Sequence, residues 1–498
     1  MSQQNLGRQL GSGLAWSTIN SLVLRLGSFA VGVVIARILA PEQFGVFAVA
    51  LTVQAVLMTL ADLGMSADLI RSADPERIAP TVATLALASG TTLAITMALS
   101  GQGVADLLGS PDAGPVISVM AFSLLLAGAG VVPYASLQRR FAQKKLFGIA
   151  AADFIIGTAL TIVLILAGWG VMGLACARIV SQSATLVLQF VLSGEKVRFG
   201  FDRAVAPAVL SFGVPVALAN MLSWALLNVD NVAISRLSGP VALGFYFLAF
   251  NVSNWPMSAV GQVVRSVSIP TFSRLATSRP DRNFAVLVGP VWAISLLAGL
   301  LLSVLAHPVI ELVYGPSWLP AAAVLAWLGV FGSLRTLFDL SASYLLARGA
   351  SKATLLVQIA WIVALIPAVV LGLRANGSPG VAAAHLATAI LVVCPAYAVS
   401  LQRCGADLRA VGAKLWPPVV AALPAGAASM AVEAVVPGPL WSLLAGGSVC
   451  ATVYALILAR WFRRQIREAK QLTNRQDPTA PVAGQPVQEH TTTLKEVT

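Results

Sequence analysis

Fourteen apolar stretches dominate this chain, and its basic residues fall almost entirely between every second pair of stretches. A helix needs about 20 apolar residues to cross a hydrocarbon core, where it satisfies its own backbone hydrogen bonds. We therefore predict an all-α integral membrane protein with fourteen transmembrane spans. The predicted spans are 14–36, 44–66, 80–100, 114–135, 148–168, 170–192, 209–235, 241–262, 284–305, 320–344, 354–373, 380–401, 415–436 and 441–460.

The charge pattern predicts the orientation of these spans. All but six of the 32 Lys and Arg residues lie at the termini or in loops on one side. The loops on the other side hold only Arg37, Arg236 and Arg374. Because Lys and Arg remain cytoplasmic during bacterial membrane insertion, we expect both termini in the cytoplasm and the chain in the bacterial inner membrane. The pI of about 10.1 then reflects these loops and contact with membrane lipids, with no nucleic-acid partner.

Composition and motifs disfavour several other classes of protein. An apolar content of 57% with 10% charged residues excludes a set of soluble domains. The four cysteines and three histidines are scattered, so we expect neither disulfides, nor a metal site, nor a cofactor. No GxxxxGK[ST] phosphate loop occurs, which disfavours an ATP-driven pump. The connections 101–113 and 306–319 are short and lack clustered acid and base residues, which disfavours an enzyme such as a membrane polymerase or ligase. Tryptophans mark several predicted membrane boundaries, namely Trp16, Trp169, Trp318, Trp416, Trp441 and Trp461.

An internal repeat divides the chain into two lobes. Residues 33–47 align without a gap on residues 232–246, at a shift of 199 positions. Arg37, Pro41 and Gly45 meet an identical residue type, and these types rarely coincide by chance in apolar sequence. Duplicated lobes around a central site are a common transporter plan. The predicted units are an N-lobe (1–204), a C-lobe (205–402), two further spans (403–461) and a basic, then disordered, cytoplasmic tail (462–498).

Three arginines lie inside predicted spans, where an arginine costs about 2.5–3.5 kcal/mol on insertion scales. Arg25 and Arg178 have no acidic residue three or four positions away on their own helix. They predict either a water-filled cavity or an acid on another helix. Arg335 has Asp339 one turn away on the same face, so that pair is equally compatible with a structural role.

Four predicted spans carry polar residues at helical spacing, which indicates a shared wet cavity or, for the small residues, tight helix packing. The stripes are Ser17, Ser21, Arg25, Ser28 and Gly32 in span 1; Arg178, Gln182, Thr185 and Gln189 in span 6; Asn220, Trp224, Asn228, Asn231 and Ser235 in span 7; and Asn251, Trp255, Ser258 and Gln262 in span 8. The repeat places spans 1 and 7 opposite each other across this cavity. Nearby carboxylates that could pair with an arginine or carry a coupling proton are Asp62, Asp153, Asp230 and Glu433.

Several motifs together resemble the polysaccharide (O-antigen type) flippases of the multidrug/oligosaccharidyl-lipid/polysaccharide exporter superfamily. They are Ala36-Arg-Ile-Leu-Ala-Pro-Glu-Gln-Phe-Gly45, Ala61-Asp-Leu-Gly64, Gln138-Arg-Arg-Phe141, Asp230-Asn-Val-Ala-Ile234, Ile269-Pro-Thr-Phe-Ser-Arg274 and Tyr314-Gly-Pro-Ser-Trp318. The resemblance implies fourteen helices in two lobes around a cationic cavity. It also implies transfer of polyprenyl-diphosphate-linked oligosaccharides across the bacterial inner membrane, with the polysaccharide polymerase and export machinery as candidate partners. A peptidoglycan-precursor flippase and a drug exporter of the same superfamily are the alternatives.

Under this resemblance each intramembrane polar residue has an expected role. Arg25, Arg178 and Arg335 would bind the diphosphate, because guanidinium groups pair with phosphate oxygens in a bidentate manner. Asp62, Asp230 and Asp339 are the candidates for coupling or ion pairing. The expected sugar-binding and cavity-lining residues are Ser21, Gln182, Asn220, Trp224, Asn228, Asn231, Asn251 and Trp255.

Overall fold

A computed structural model describes residues 27–62, 65–72, 74–195, 198–274 and 283–474, and nearly all of these described residues are helical. The N-lobe contains α1 (Gly27–Ile38), α2 (Pro41–Asp62), α3 (Met65–Arg71), α4 (Pro75–Leu107), α5 (Ala113–Met120), α6 (Phe122–Arg139), α7 (Gln143–Leu166) and α8 (Gly170–Ser193). The C-lobe contains α9 (Ala206–Arg274), α10 (Asn283–Val304), α11 (Ala306–Tyr314), α12 (Pro320–Ala347), α13 (Ser351–Thr388) and α14 (Cys394–Arg403). Helices α15 (Leu408–Val435) and α16 (Pro439–Asn474) follow.

Eleven helical segments within the described residues are long and apolar enough to cross a membrane. This confirms an all-α membrane protein. The count of fourteen spans stays a prediction, because span 1 is described only over Gly27–Ile38 and two pairs of predicted spans fall within single segments.

Helices α9 and α13 each contain a break between two predicted spans. Gly239 has non-helical angles (φ 82°, ψ 175°), so α9 comprises the helices 206–238 and 240–274. Asn376 and Gly377 break α13 in the same way, with φ 58° at Gly377. Glycine adopts these positive φ values without the steric cost that a Cβ would impose.

The two lobes meet through the repeated segment itself. Gly45 in α2 lies so close to α9 that a Cβ at this position would be 1.8 Å from the Pro240 carbonyl oxygen. A Cβ at Gly244 would be 2.2 Å from the Pro41 carbonyl oxygen. The reciprocal contact requires glycine in both copies, which explains why this residue type recurs in the repeat.

Further contacts join the lobes at the same end of the bundle, which we call the Arg37 end. Arg37 donates from Nε to the Val313 carbonyl oxygen at 2.7 Å, and its Nη2 contacts the Leu312 carbonyl oxygen. Trp318 Nε1 donates to the Ala36 carbonyl oxygen at 2.7 Å. In the opposite sense, Ser235 Oγ donates to the Leu108 carbonyl oxygen at 2.7 Å. In each lobe, residues next to the first interhelical turn therefore form hydrogen bonds with the end of a helix in the other lobe.

At the other end, which we call the basic end, the hydrogen bonds of the N-lobe loops connect that lobe to itself. Arg140 Nη2 pairs with Glu195 Oε1 at 2.6 Å, and Lys145 Nζ donates to the Leu192 carbonyl oxygen at 2.7 Å. Arg139 Nη1 donates to the Ser72 carbonyl oxygen at 2.5 Å. These contacts fix the loop ends of the N-lobe, and Val209 at the start of α9 packs against Met65 and Leu69 of that lobe.

The last two helices pack on α10 of the C-lobe. Trp292 Nε1 donates to the Leu415 carbonyl oxygen at 3.1 Å, and the Tyr454 hydroxyl donates to the Ala293 carbonyl oxygen at 2.9 Å. Helix α16 continues past the predicted end at residue 460, and Lys414 pairs with Glu468 at 2.5 Å. The first part of the basic tail is therefore helical.

Candidate functional site

A cavity of about 780 Å³ lies between the lobes. One wall comes from α1, α2, α7 and α8, and the facing wall comes from the second half of α9. The polar and aromatic lining residues are Ser28, Phe29, Phe44, Phe47, Asp153, Phe154, Thr158, Thr161, Arg178, Ser181, Phe247, Asn251, Asn254, Trp255, Ser258 and Tyr314. A cavity of this size, with mixed apolar and polar walls, is typical of a small-molecule binding site.

Arg178 lines this cavity, but it is paired across two helices. Its Nη1 lies 3.6 Å from Asp153 Oδ2, and the two side chains are 45% and 29% exposed. Thr185 Oγ1 donates to the other carboxylate oxygen of Asp153 at 3.2 Å. Arg178 therefore lines a cavity and also has an acid on another helix, while its role toward a ligand stays a prediction. An arginine has five N–H donors, so this single contact leaves capacity for a second anion.

A second cavity of about 420 Å³ also borders Arg178. Its polar residues are Thr52, Gln54 and Asn228, which come from α2 and the first half of α9. Arg178 and Phe247 belong to the linings of both cavities. The Arg178 side chain therefore lies between two adjacent cavities.

The C-lobe wall is built mainly by predicted span 8. Asn251 and Trp255 line the main cavity, and the Trp255 ring centroid lies 5.3 Å from that of Phe29 in α1. Asn251 Nδ2 donates to the Phe247 carbonyl oxygen at 2.8 Å. Ser28 and Gly32 of span 1 therefore face span 8, where the repeat had placed span 7.

In the span 7 stripe, Asn228 lines a cavity and Asn231 packs against α2. Asn231 is buried and its Nδ2 donates to Asn228 Oδ1 at 3.1 Å and to Thr52 Oγ1 at 3.5 Å. These contacts join α9 to α2 within the lobe interface. Asn220 is exposed and Trp224 is half-buried, and neither lines the two cavities. Of this stripe, Asn228 is the residue that reaches a cavity wall.

Arg335 lies apart from the main cavity, on a small space of about 40 Å³ within the C-lobe. Its Nη1 donates to Asn254 Oδ1 at 3.3 Å, and Asn254 in turn lines the main cavity. Asp339 lies one turn further along α12. The structure thus places Arg335 behind the cavity wall.

Asp230 is buried inside the C-lobe. The sequence did not indicate its hydrogen-bonding partners. The Tyr246 hydroxyl donates to its Oδ2 at 2.5 Å, and His385 Nε2 lies 3.2 Å from the same oxygen. The three side chains come from the two halves of α9 and from α13, and each is nearly inaccessible to solvent. The Tyr246 hydroxyl donates to a carboxyl group whose burial without a partner would be costly in a membrane interior.

Several predicted site residues fall outside the described part of the chain. Ser17, Ser21 and Arg25 precede residue 27, and the side chains of Asp62 and Gln262 are likewise outside it. Among the residues that the structure describes, no group of three or more His, Cys, Asp and Glu side chains could hold a metal ion.

Two helical lobes that enclose a polar cavity, with membrane-spanning helices on every side, define a membrane transporter fold. The model of the family described as "Polysaccharide biosynthesis protein" matches residues 34–323. The chain belongs to this polysaccharide biosynthesis protein family, which confirms the resemblance drawn from its motifs.

Named relatives agree with this membership, and solved structures show a similar fold. The chain is 26% identical to the lipopolysaccharide biosynthesis protein WzxC of Escherichia coli, over 86% of this chain and 88% of that protein. It is 27% identical to the succinoglycan biosynthesis transport protein ExoT of Rhizobium meliloti, over 95% and 97% of the two chains. The fold is similar to that of the lipid II flippase MurJ in an inward closed conformation, with a TM-score of 0.74 at 14% identity over 91% and 100% of the chains. An inward-facing multidrug transporter of the same superfamily gives a TM-score of 0.59 at 18% identity over 78% and 98% of the chains.

Proposed function

We propose that this protein is a flippase that moves polyprenyl-diphosphate-linked oligosaccharides from the inner to the outer leaflet of the bacterial inner membrane. The observation that carries the proposal is the cavity between the lobes, which a charged arginine on the apolar helix α8 lines. The glycan would serve a surface polysaccharide such as O-antigen, capsule or exopolysaccharide. Transport of this kind needs no catalytic group and no cofactor.

Arg178 is the diphosphate-binding residue in this proposal. Its contact with Asp153 at 3.6 Å is longer than a strong charge-assisted hydrogen bond, which is about 2.7–2.9 Å. A diphosphate presents more oxygens and more charge than one carboxylate, so it would displace Asp153 from the guanidinium group. Thr185 would then hold the released carboxylate. Arg25 and Arg335 remain further candidates for binding the diphosphate. Arg335 would act through Asn254, which lines the main cavity.

The other parts of the substrate would follow the chemistry of the walls. Asn228 and Asn251 would meet sugar hydroxyls, and Trp255 offers an aromatic face for a pyranose ring. The polyprenyl tail would remain in the lipid. Because the cytoplasmic side is electrically negative, moving two negative charges outward is favourable by about 4.6 kcal/mol per 100 mV. A coupling ion is thus not energetically required, and Asp230 stays a candidate for coupling or ion pairing.

The orientation follows from the charge pattern. The basic end and both termini would face the cytoplasm, and the Arg37 end would face the periplasm. Because the lobes are joined at the Arg37 end, the cavity would accept substrate from the cytoplasmic side in this conformation. Separation of those contacts would release it outside, where the polysaccharide polymerase and export machinery would act.

A complementation experiment tests the proposal. Deletion of this gene in its own bacterium should abolish the surface polysaccharide and leave lipid-linked oligosaccharide in the inner leaflet. Arg178→Ala should fail to restore export at a normal membrane level, and Arg178→Lys should restore part of it because the bidentate fork is lost. Arg374→Ala, at an exposed arginine, is the matched control and should restore export fully.

Two other outcomes would favour the alternatives. Accumulation of peptidoglycan precursor in the deletion strain would indicate a precursor flippase. Normal polysaccharide with increased drug sensitivity would indicate a drug exporter.

A further inference from the structure

A polar tract leads from the central cavity toward the basic end, entirely within the N-lobe. Two cavities, of about 380 and 320 Å³, lie between α6, α7 and α8. They share Tyr134, Thr185 and Gln189 in their linings. The larger one also shares Asp153 with the central cavity. The tract therefore adjoins the space that Arg178 borders, with Asp153 in the wall of both.

One face of helix α8 runs along this tract. Arg178, Gln182, Thr185 and Gln189 are spaced by four, three and four residues, which places them on one helix face. At 1.5 Å per residue, the eleven positions from Arg178 to Gln189 extend about 16 Å along the helix axis. A ligand held by its diphosphate at Arg178 would thus lie against these side chains over the inner half of the membrane.

Two amide side chains of the tract, Gln182 and Gln189, can form hydrogen bonds with a hydroxyl-rich ligand. Gln182 Oε1 is buried and accepts no hydrogen bond from the described residues. Leaving a buried acceptor without a donor is costly unless a ligand supplies one. Gln189 fits closely against α6, since a Cβ at Gly130 would be 2.7 Å from its Oε1.

Tyr134 adds an aromatic surface to the amides. Its side chain is 38% exposed although it lies on a cavity wall. Gln138 Nε2 donates to its hydroxyl at 2.6 Å, which restrains the orientation of the ring. A partly exposed ring next to amide and hydroxyl groups provides both an apolar face and hydrogen bonds, as a pyranose requires.

Between the corresponding helices of the C-lobe, the described residues enclose a much smaller cavity of about 40 Å³, beside Arg335 and Gln358. The corresponding C-lobe segment, 378–403, contains no asparagine, and its one glutamine is at position 402. One lobe alone would therefore contact the sugars along this path.

We propose that Tyr134, Gln182 and Gln189 form a subsite for the sugars furthest from the diphosphate, so that the N-lobe sets the glycan preference. This inference rests on the proposed flippase function and adds the location of glycan recognition. The tract binds the oligosaccharide while Arg178 binds the diphosphate.

Binding to purified protein in nanodiscs separates the two roles. One probe is the lipid-linked oligosaccharide fraction extracted from the bacterium that makes this protein, and the other is undecaprenyl diphosphate without sugar. The double variant Gln182→Leu with Gln189→Leu should bind the first probe about tenfold more weakly, because two hydrogen bonds are lost. It should bind the second probe like the wild type, which also shows that it is folded.

Two variants of Tyr134 test the aromatic contact. Tyr134→Ala should also weaken binding of the first probe alone. Tyr134→Phe should weaken that binding less, because it keeps the ring. Val187→Ala, at an exposed position on α8, is the control and should change neither affinity.

The contrary results are distinct for the two proposals. An equal loss for both probes, or no loss, would show that the tract is structural and would overturn the subsite while leaving the flippase function intact. If the wild-type protein binds neither probe, the flippase proposal itself fails, and the subsite fails with it.

Discussion

Gly45 and Gly244 occupy equivalent positions in the two halves of the chain, and they pack against each other where the lobes meet. A Cβ at Gly244 would lie 3.2 Å from the Gly45 backbone nitrogen. The repeated segment is thus the surface through which the Arg37 end is closed.

Gly45→Ala should prevent this closure. The added methyl group would overlap the Pro240 carbonyl oxygen at 1.8 Å, and backbone cannot move aside as a flexible side chain can. A single cysteine at Asn251, with Cys176, Cys394, Cys404 and Cys450 replaced, reports access to the cavity. We expect an impermeant thiol reagent to label it from the periplasmic side much faster in the Gly45→Ala background.

Gly103→Ala is the matched control for this substitution, because a Cβ there would meet nothing within 4 Å. It should leave labelling unchanged. Identical labelling rates in the Gly45→Ala and Gly103→Ala backgrounds would refute the closure surface.

Arg37→Ala should weaken the same closure by removing hydrogen bonds between the lobes. It removes donors to the Val313 and Leu312 carbonyl oxygens, each part of the last turn of α11. Because the side chain is exposed, we expect a modest effect, a few-fold faster labelling of the cysteine at Asn251. Arg374→Ala should have no effect, and a larger effect than that of Arg37→Ala would contradict this assignment.

Tyr246→Phe should destabilise the C-lobe by about 1–3 kcal/mol, because the buried Asp230 carboxylate would lose a donor. Thermal unfolding in detergent measures this change. Tyr314→Phe is the control, since the Tyr314 hydroxyl makes no hydrogen bond with the described residues. Equal stability of the two variants would mean that the hydroxyl of Tyr246 contributes nothing to Asp230.

The orientation can be tested with reporter fusions. Fusions after residue 474 should be active only as cytoplasmic reporters, and fusions within 108–112 should be active only outside the membrane. The reverse pattern at either place would contradict the predicted topology.

The sequence predicted the fold class and the polar face of α8, because apolar periodicity and charge bias are properties of single helices. It could not pair Arg178 with Asp153, since spacing along one helix carries no information about a neighbouring helix. The same limit explains Asn231, which has cavity-type chemistry but packs against Thr52. Trp318 was predicted at a membrane boundary, yet it is fully buried against Ala36. Tyr134 and Gln138 were missed as a pair, although their spacing of four residues was a usable signal.

The most direct test of the central claim is transfer of substrate in proteoliposomes. Purified protein would be reconstituted with the lipid-linked oligosaccharide fraction of its own bacterium, and the glycan exposed on the outer leaflet would be followed by lectin binding. We expect transfer well above that of protein-free liposomes, and loss of that transfer in Arg178→Ala. A labelled phospholipid in the same vesicles should not move. Transfer that equals the protein-free rate, or that moves the phospholipid equally fast, would contradict the account.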